Sequence, residues 1–290
     1  MRGGKKGVMS NLLSFLLFVV PKNLLSHWVG KLMHLSLPEP FRRWSLKWFI
    51  KKYHIDMSEA ELDLLMYPNI GALFTRRLNP RLRPVIRESF AVHPCDARIT
   101  TFGCVDAGVM VQAKNHNYTL TDFVGESELA AKLGNGFYLT YYLCPTDYHR
   151  VHSPVDGKVR KVIHLPGNLW PVNDWSVNRI ERLFAVNERI VVELETERGI
   201  LVLVMVGATN VGKMTLSFLP ELVSNQAAAT DPQRRVFLPQ TELKKGDELG
   251  IFHMGSTVIM VFAEETASTS SFSATNAIKT GKVKMGQSLI

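Results

Sequence analysis

Cysteine is scarce in this 290-residue sequence, and Cys95, Cys104 and Cys144 form neither a paired framework nor a C-x-x-C step. A disulfide scaffold and a zinc-finger class are thereby excluded, and a reducing compartment is the natural setting. Glycine and proline, at 20 and 14 residues, are too few for a fibrous or low-complexity chain. An uninterrupted apolar run of membrane-crossing length is also missing. Residues 7–21 carry no charge, but their apolar heart covers only 12–20, short of the roughly 20 residues a spanning helix needs. Behind Lys5 and Lys6 this run imitates a secretion signal. Pro21-Lys22-Asn23 stands where a small-residue cleavage site would follow, so secretion is not expected. Acidic residues are nearly absent from the first 52 positions, where Glu39 alone faces ten Lys and Arg. The remainder holds 24 basic against 25 acidic side chains, so the formal charge of +8 belongs to the N-terminus. That charge is interleaved with Leu, Phe and Trp, and no nucleic-acid motif follows. It suits an anionic membrane surface, and nucleic acid is not an expected partner.

The length and a 46% hydrophobic fraction leave room for a real core. Leu24, Leu25, Trp28, Leu32 and Leu35 recur at helical spacing, so residues 8–37 read as helix broken at Pro21 and ended by Pro38 and Pro40. Residues 41–53 form a second amphipathic stretch, with Trp44, Leu46, Trp48 and Phe49 among Arg and Lys, a mixture that fits a headgroup layer. Ser58-Glu59-Ala60-Glu61 predicts a capped helix. From about Ile86 the pattern becomes short strands, predicted at 108–112, 137–143, 158–165, 189–196 and 200–206, the last two joined in a hairpin at Glu197-Arg198-Gly199. The expected fold class is α+β, a β-rich body behind N-terminal amphipathic helices. Residues 227–237 and the Ser/Thr-rich run 266–275 read as loops.

Four constellations offer chemistry. Gly255-Ser256-Thr257 lies between two β runs, and a glycine leaves its carbonyl sterically open to the following serine hydroxyl; from the tripeptide alone, an ordinary Gly-Ser turn is the simpler reading. Asp147-Tyr148-His149-Arg150-Val151-His152 sets two histidines three apart. Structural, catalytic and metal-binding roles all fit them, although no third ligand of recognised spacing accompanies them. His93-Pro94-Cys95-Asp96-Ala97 contains an Asp able to orient a histidine or to bond only its own loop. Val206-Gly207-Ala208-Thr209-Asn210-Val211-Gly212 offers close backbone approach and amide donors, or simply a Gly-rich turn; its spacing is not that of a P-loop.

Taken in order, Gln112-Ala113-Lys114-Asn115-His116-Asn117-Tyr118, Asp147 through His152, Leu183-Phe184-Ala185-Val186-Asn187-Glu188-Arg189, Val206-Gly207-Ala208-Thr209 and Gly255-Ser256-Thr257 resemble the phosphatidylserine decarboxylase family. The resemblance runs from about Met66 to the C-terminus, and the first 65 residues match only in character. It implies a membrane-association region at 1–65 and a pyruvoyl-dependent decarboxylase domain at 66–290. That domain would be self-cleaved between Gly255 and Ser256 into a β chain (1–255) and an α chain (256–290). The implied processing serine is Ser256, with Asp96 and His152 as its partners, and His149 is the histidine of the decarboxylation step. The implied cofactor is the covalent pyruvoyl group (pyruvate) derived from Ser256, with no metal. The implied reaction joins the serine headgroup to that pyruvoyl as a Schiff base, releases CO2 and leaves phosphatidylethanolamine. The partner is then phosphatidylserine in an anionic membrane, the implied location is peripheral on the cytoplasmic face of a bacterial cell membrane, and a homodimer is compatible.

Two departures from the family pattern stand out. Met254 replaces a usual Leu, a swap of similar volume. Ala97 replaces a usual Gly; if that position needs positive φ, Ala97 strains the turn and slows maturation. A pyruvoyl enzyme acting on a soluble amino acid is disfavoured by the basic amphipathic N-terminus. A Ser-His-Asp hydrolase is disfavoured by the missing G-x-S-x-G context around Ser256. A decayed membrane-binding protein is disfavoured by the retention of Asp96, His149, His152, Gly255 and Ser256.

Overall fold

The most apolar β runs of the sequence meet at the centre of one sheet. The computed structural model describes residues 22–113, 116–209, 213–225, 233–253, 257–269 and 278–289. Within them a nine-stranded antiparallel sheet runs, in spatial order, through Arg235–Phe237, Gly157–Leu165, Arg189–Thr196, Gly199–Val206, Thr257–Phe262, Phe137–Tyr142, Ala97–Cys104 and Gly281–Val283, with Glu242–Leu243 also pairing onto Gly157–Leu165. Every residue of Thr257–Phe262 is buried, which explains a continuous apolar run in place of alternation. The hairpin predicted at 197–199 is present: Thr196 pairs with Gly199, whose φ of +111° suits glycine.

A second sheet of four strands is ordered Leu219–Val223, Met214–Leu216, Glu248–Phe252 and Arg150–His152. The chain therefore leaves the small sheet at Phe252 and enters the large one at Thr257. Val109–Ala113 and His116–Thr119 form a separate two-stranded ribbon.

Two helices, Lys22–Met33 and Glu39–Tyr53, precede this body, so the α+β expectation holds. The second helix buries Leu46 and Phe49 in a small core with Ile55, Tyr67, Leu73 and Phe74. Its Trp44 and Trp48, and Trp28 of the first helix, remain exposed at 66%, 49% and 59%. The first helix leans on the body through Lys22, whose ammonium sits 3.7 Å from the Trp170 ring centroid, and through Asn23, which donates to the Gly167 carbonyl at 3.0 Å. No helix among the described residues is long and apolar enough to cross a membrane.

The helix expected from Ser58 does not form. Met57–Glu59 is a single 3-10 turn capped by Asp56, because Glu61 N–H donates to the Arg77 carbonyl and Asn79 N–H to that of Glu59. Backbone groups engaged across that gap are unavailable to a helix. Part of the expected loop at 266–275 is also ordered: Glu264–Thr269 is helical, and its buried Thr266 donates to the Ile200 carbonyl. Ala97 opens a strand opposite Val283 and is not among the positive-φ residues, so the anticipated strain at this position is absent.

Candidate active site

The histidine pair is delivered by a tight turn and a short strand. Asp147 closes the turn by accepting from Cys144 N–H at 2.8 Å, and the chain then enters Arg150–His152. His149 is fully buried, and its backbone carbonyl accepts from Phe252 N–H at 3.0 Å. Its Nδ1 faces the Asp147 carbonyl at 2.8 Å. A carbonyl only accepts, so Nδ1 carries the hydrogen and Nε2 keeps its lone pair. That Nε2 is buried without a hydrogen-bond partner among the described residues, while the ring packs 4.0 Å from the Phe74 ring, centroid to centroid. Burial, aided by the nearby Arg76 guanidinium, pushes the His149 pKa down to about 3.

The same reasoning orients His152. Its Nδ1 donates to the Gly246 carbonyl at 2.8 Å, which leaves Nε2 to accept from the Tyr148 hydroxyl at 3.1 Å. Burial lowers its pKa as well. Gly246 holds φ +90° in the turn that presents this carbonyl, and a Cβ there would come within 2.6 Å of Val85.

Asp96 is engaged elsewhere. It accepts from Arg83 Nε at 2.9 Å and Nη2 at 2.5 Å, and from Met285 N–H at 2.9 Å. Arg83 in turn holds Glu59 at 2.7 Å. Asp96 and His152 are not bonded to each other, and the carboxylate acts on the ring only through space. Gly255 and Ser256 lie outside the described residues. Their flanks are Phe252, paired with Met214 in the small sheet, and Thr257, set between Tyr142 and Val206 in the large one.

Arg76 escaped the sequence reading. It is 4% exposed, and among the described residues its Nε and Nη1 have no hydrogen-bond partner and Nη2 reaches only the Thr146 carbonyl at 3.3 Å. An unpaired buried guanidinium beside a histidine marks a site for negative charge. Its only signal in the sequence was its place in Phe74-Thr75-Arg76-Arg77. Tyr148 was read as part of a string without a role. By contrast, Asn187 and Arg189 of the string at 183–189 brace the backbone: the Asn187 amide links the Trp170 backbone to the Gly207 carbonyl, and Arg189 donates to the carbonyls of Asp122, Phe123, Ala185 and Asn187.

Comparison with known proteins fits this arrangement. A family model described as phosphatidylserine decarboxylase matches residues 70–290. The chain belongs to that family. The phosphatidylserine decarboxylase proenzyme of Anaeromyxobacter sp. (strain K) is 42% identical over 245 residues, covering 84% of this chain and 86% of that protein. The proenzyme of Myxococcus xanthus (strain DK1622) is 40% identical over 248 residues, covering 85% and 88%. As a member of the phosphatidylserine decarboxylase family, the chain is an enzyme of the lyase class.

The buried histidines make stability depend on pH. His149 and His253, with pKa values near 3, and His93, near 4, sit below the ordinary 6.5. Between those values and 6.5 the unfolded chain binds protons that the folded chain refuses, so stability falls as pH falls. Each such histidine contributes up to about 1.4 kcal/mol per pH unit. Urea unfolding of the protein between pH 7 and pH 4.5 should show this decline, with a shallower slope in His149→Asn. A slope unchanged by that substitution would contradict the neutral, buried assignment.

Proposed function

We propose that this chain removes the carboxylate of phosphatidylserine as CO2 and leaves phosphatidylethanolamine, using a pyruvoyl group made from Ser256 by cleavage after Gly255. The observation that carries this reading is His149 Nε2, a buried base without a hydrogen-bond partner among the described residues, on the residue hydrogen-bonded to Phe252, four positions before Ser256. The surroundings suit a group made from the chain itself. Residues 252 and 257 are both anchored in sheets, so a cut between them leaves each of the two chains hydrogen-bonded into its own sheet.

In the precursor, His152 takes the Ser256 hydroxyl proton at Nε2, the nitrogen that Tyr148 otherwise caps. The serine oxygen attacks the Gly255 carbonyl, and the amide becomes an ester. β-Elimination then frees the Gly255 carboxylate, and hydrolysis of the new N-terminus releases ammonia. Asp96 supports His152 through its charge, and it holds the tail at Met285 against Arg83. Once formed, the pyruvoyl group would be carried at the head of the strand that starts at Thr257, and would supply an electrophilic carbonyl for the headgroup amine and an electron sink for the pair that CO2 leaves behind. Arg76 offers its charge to the substrate's anionic groups. Those groups raise the proton affinity of His149, whose Nε2 then carries the proton that the α-carbon takes up after CO2 departs.

Intact mass under denaturing conditions tests this reading. Two chains divided after Gly255, the smaller ending in a pyruvoyl mass at position 256, are expected; two chains with an unmodified serine would mean simple proteolysis.

The lipid substrate gives the exposed N-terminal face its purpose. Trp28, Trp44 and Trp48 would enter the headgroup layer while Lys31, Arg43, Lys47, Lys51 and Lys52 meet anionic lipid. Replacing the three tryptophans by serine should weaken vesicle binding at least about tenfold, while self-cleavage persists. Flotation with vesicles containing phosphatidylserine measures it, and undiminished binding would assign membrane contact to another surface.

A further inference from the structure

Hydroxyl groups cluster on one face at the middle of the large sheet. Thr257 lies opposite Tyr142, and Thr140 lies opposite Thr101. Residues directly opposite, and residues two apart on a strand, point to the same side, so these four side chains share a face. They line a cavity of about 140 Å³ together with Gln112 and Phe184. Two buried polar atoms of its lining residues have no hydrogen-bond partner among the described residues, Thr257 Oγ1 and Gln112 Oε1, and these residues are 0% and 2% exposed. The Gln112 amide is held in one orientation, because its Nε2 donates to the carbonyls of Val177 and Ile180, both at 2.8 Å. What Gln112 has left is an acceptor.

From this geometry we propose that the cavity seats the primary-amine end of the lipid headgroup, with Gln112 Oε1 accepting an N–H of the amine and Thr257 Oγ1 making the second contact. This deepens the function proposed above and rests on it, since Thr257 directly follows Ser256. The lining contains no Lys, Arg or His among the described residues, so nothing there neutralises a phosphate, and an amide oxygen opposes one. Among the described residues the lining also lacks Asp and Glu, so selection works through hydrogen bonding by the amine, and a quaternary ammonium, which has no N–H, gains nothing. At roughly 30 Å³ for each water's share of volume, the cavity has room for four or five waters, enough for a serine or ethanolamine unit and too little for the glycerol and acyl chains.

The full-length enzyme provides the test, with turnover normalised to the pyruvoyl content read from the mass of the small chain. Thr257→Val keeps the shape and removes an unpaired buried hydroxyl. If Thr257 only packs, this change leaves KM and kcat alone and Tm steady or higher. The proposal instead expects KM for phosphatidylserine in mixed vesicles to rise about tenfold, with kcat less affected. Glycerophosphoserine and glycerophosphoethanolamine should raise the wild-type Tm and should not raise that of the variant, whereas glycerophosphate and glycerophosphocholine should do neither. Gln112→Met carries the same expectations if Thr257→Val does not accumulate. A wild-type KM in the variant, or stabilisation by glycerophosphate equal to that by glycerophosphoethanolamine, overturns the proposal and leaves a water-filled recess. Absence of pyruvoyl from wild-type protein would instead remove the proposed function. The Tm shifts need no turnover, so they decide the recess in either case.

Discussion

Replacing Ser256 by alanine is expected to leave one chain of 32.7 kDa that neither cuts itself nor decarboxylates lipid. The loss should be complete, because the proposed cut uses the serine oxygen as nucleophile and the proposed cofactor is built from the same residue. The fold should survive. Thr257–Phe262 is hydrogen-bonded on both sides, to Gly199–Val206 and to Phe137–Tyr142, and Gly281–Val283 pairs with Ala97–Cys104. Farther along, Gly286 N–H donates to the His93 carbonyl and Leu289 N–H to that of Ala91. These bonds also keep the two chains of the cut protein together in native solution, so the comparison is made by mass after denaturation. Processed chains from Ser256→Ala would refute the proposed cleavage outright.

Exchanging His149 for asparagine should separate maturation from catalysis. Asparagine keeps a donor where Nδ1–H meets the Asp147 carbonyl, and it drops the base at Nε2. Cleavage should proceed, since His152 is proposed to serve that step, while turnover per pyruvoyl falls roughly 10²- to 10⁴-fold, the range typical for loss of a positioned acid-base group. Radiolabelled CO2 release from phosphatidylserine vesicles, with pyruvoyl content from the small chain's mass, gives both numbers. Turnover close to wild type would make His149 a packing residue against Phe74. Loss of cleavage together with turnover would mean that the two histidines share both steps.

Much of this molecule was legible as sequence where the signal is local. The strand at Arg189–Thr196 and the hairpin to Gly199 followed from apolar runs and one Glu-Arg-Gly turn. The amphipathic stretches near Trp28 and Trp44 are helices with those rings outward. Ser58 misled because a good cap and two acids are a weak preference, which pairing with residues 77–79 overrode. The resemblance names Asp96 and His152 as partners of Ser256; in the structure the two are not bonded to each other, and each has hydrogen-bond partners of its own. No local rule could have anticipated that Arg83 would take both carboxylates, Glu59 and Asp96.

The sequence by itself determined the family, the α+β class and the segments that hold the histidines and the Gly-Ser-Thr step, because short strings and residue periods carry that information without the fold. Only the tertiary structure decided which nitrogen of each histidine carries the hydrogen, that Arg76 is buried with no ion pair among the described residues, and that Gln112 and Thr257 line one recess. Those properties depend on burial and on groups brought together from distant parts of the chain. Asp96 meets the Met285 backbone across 189 positions. Desolvation and hydrogen-bond pairing come into being only when such groups meet.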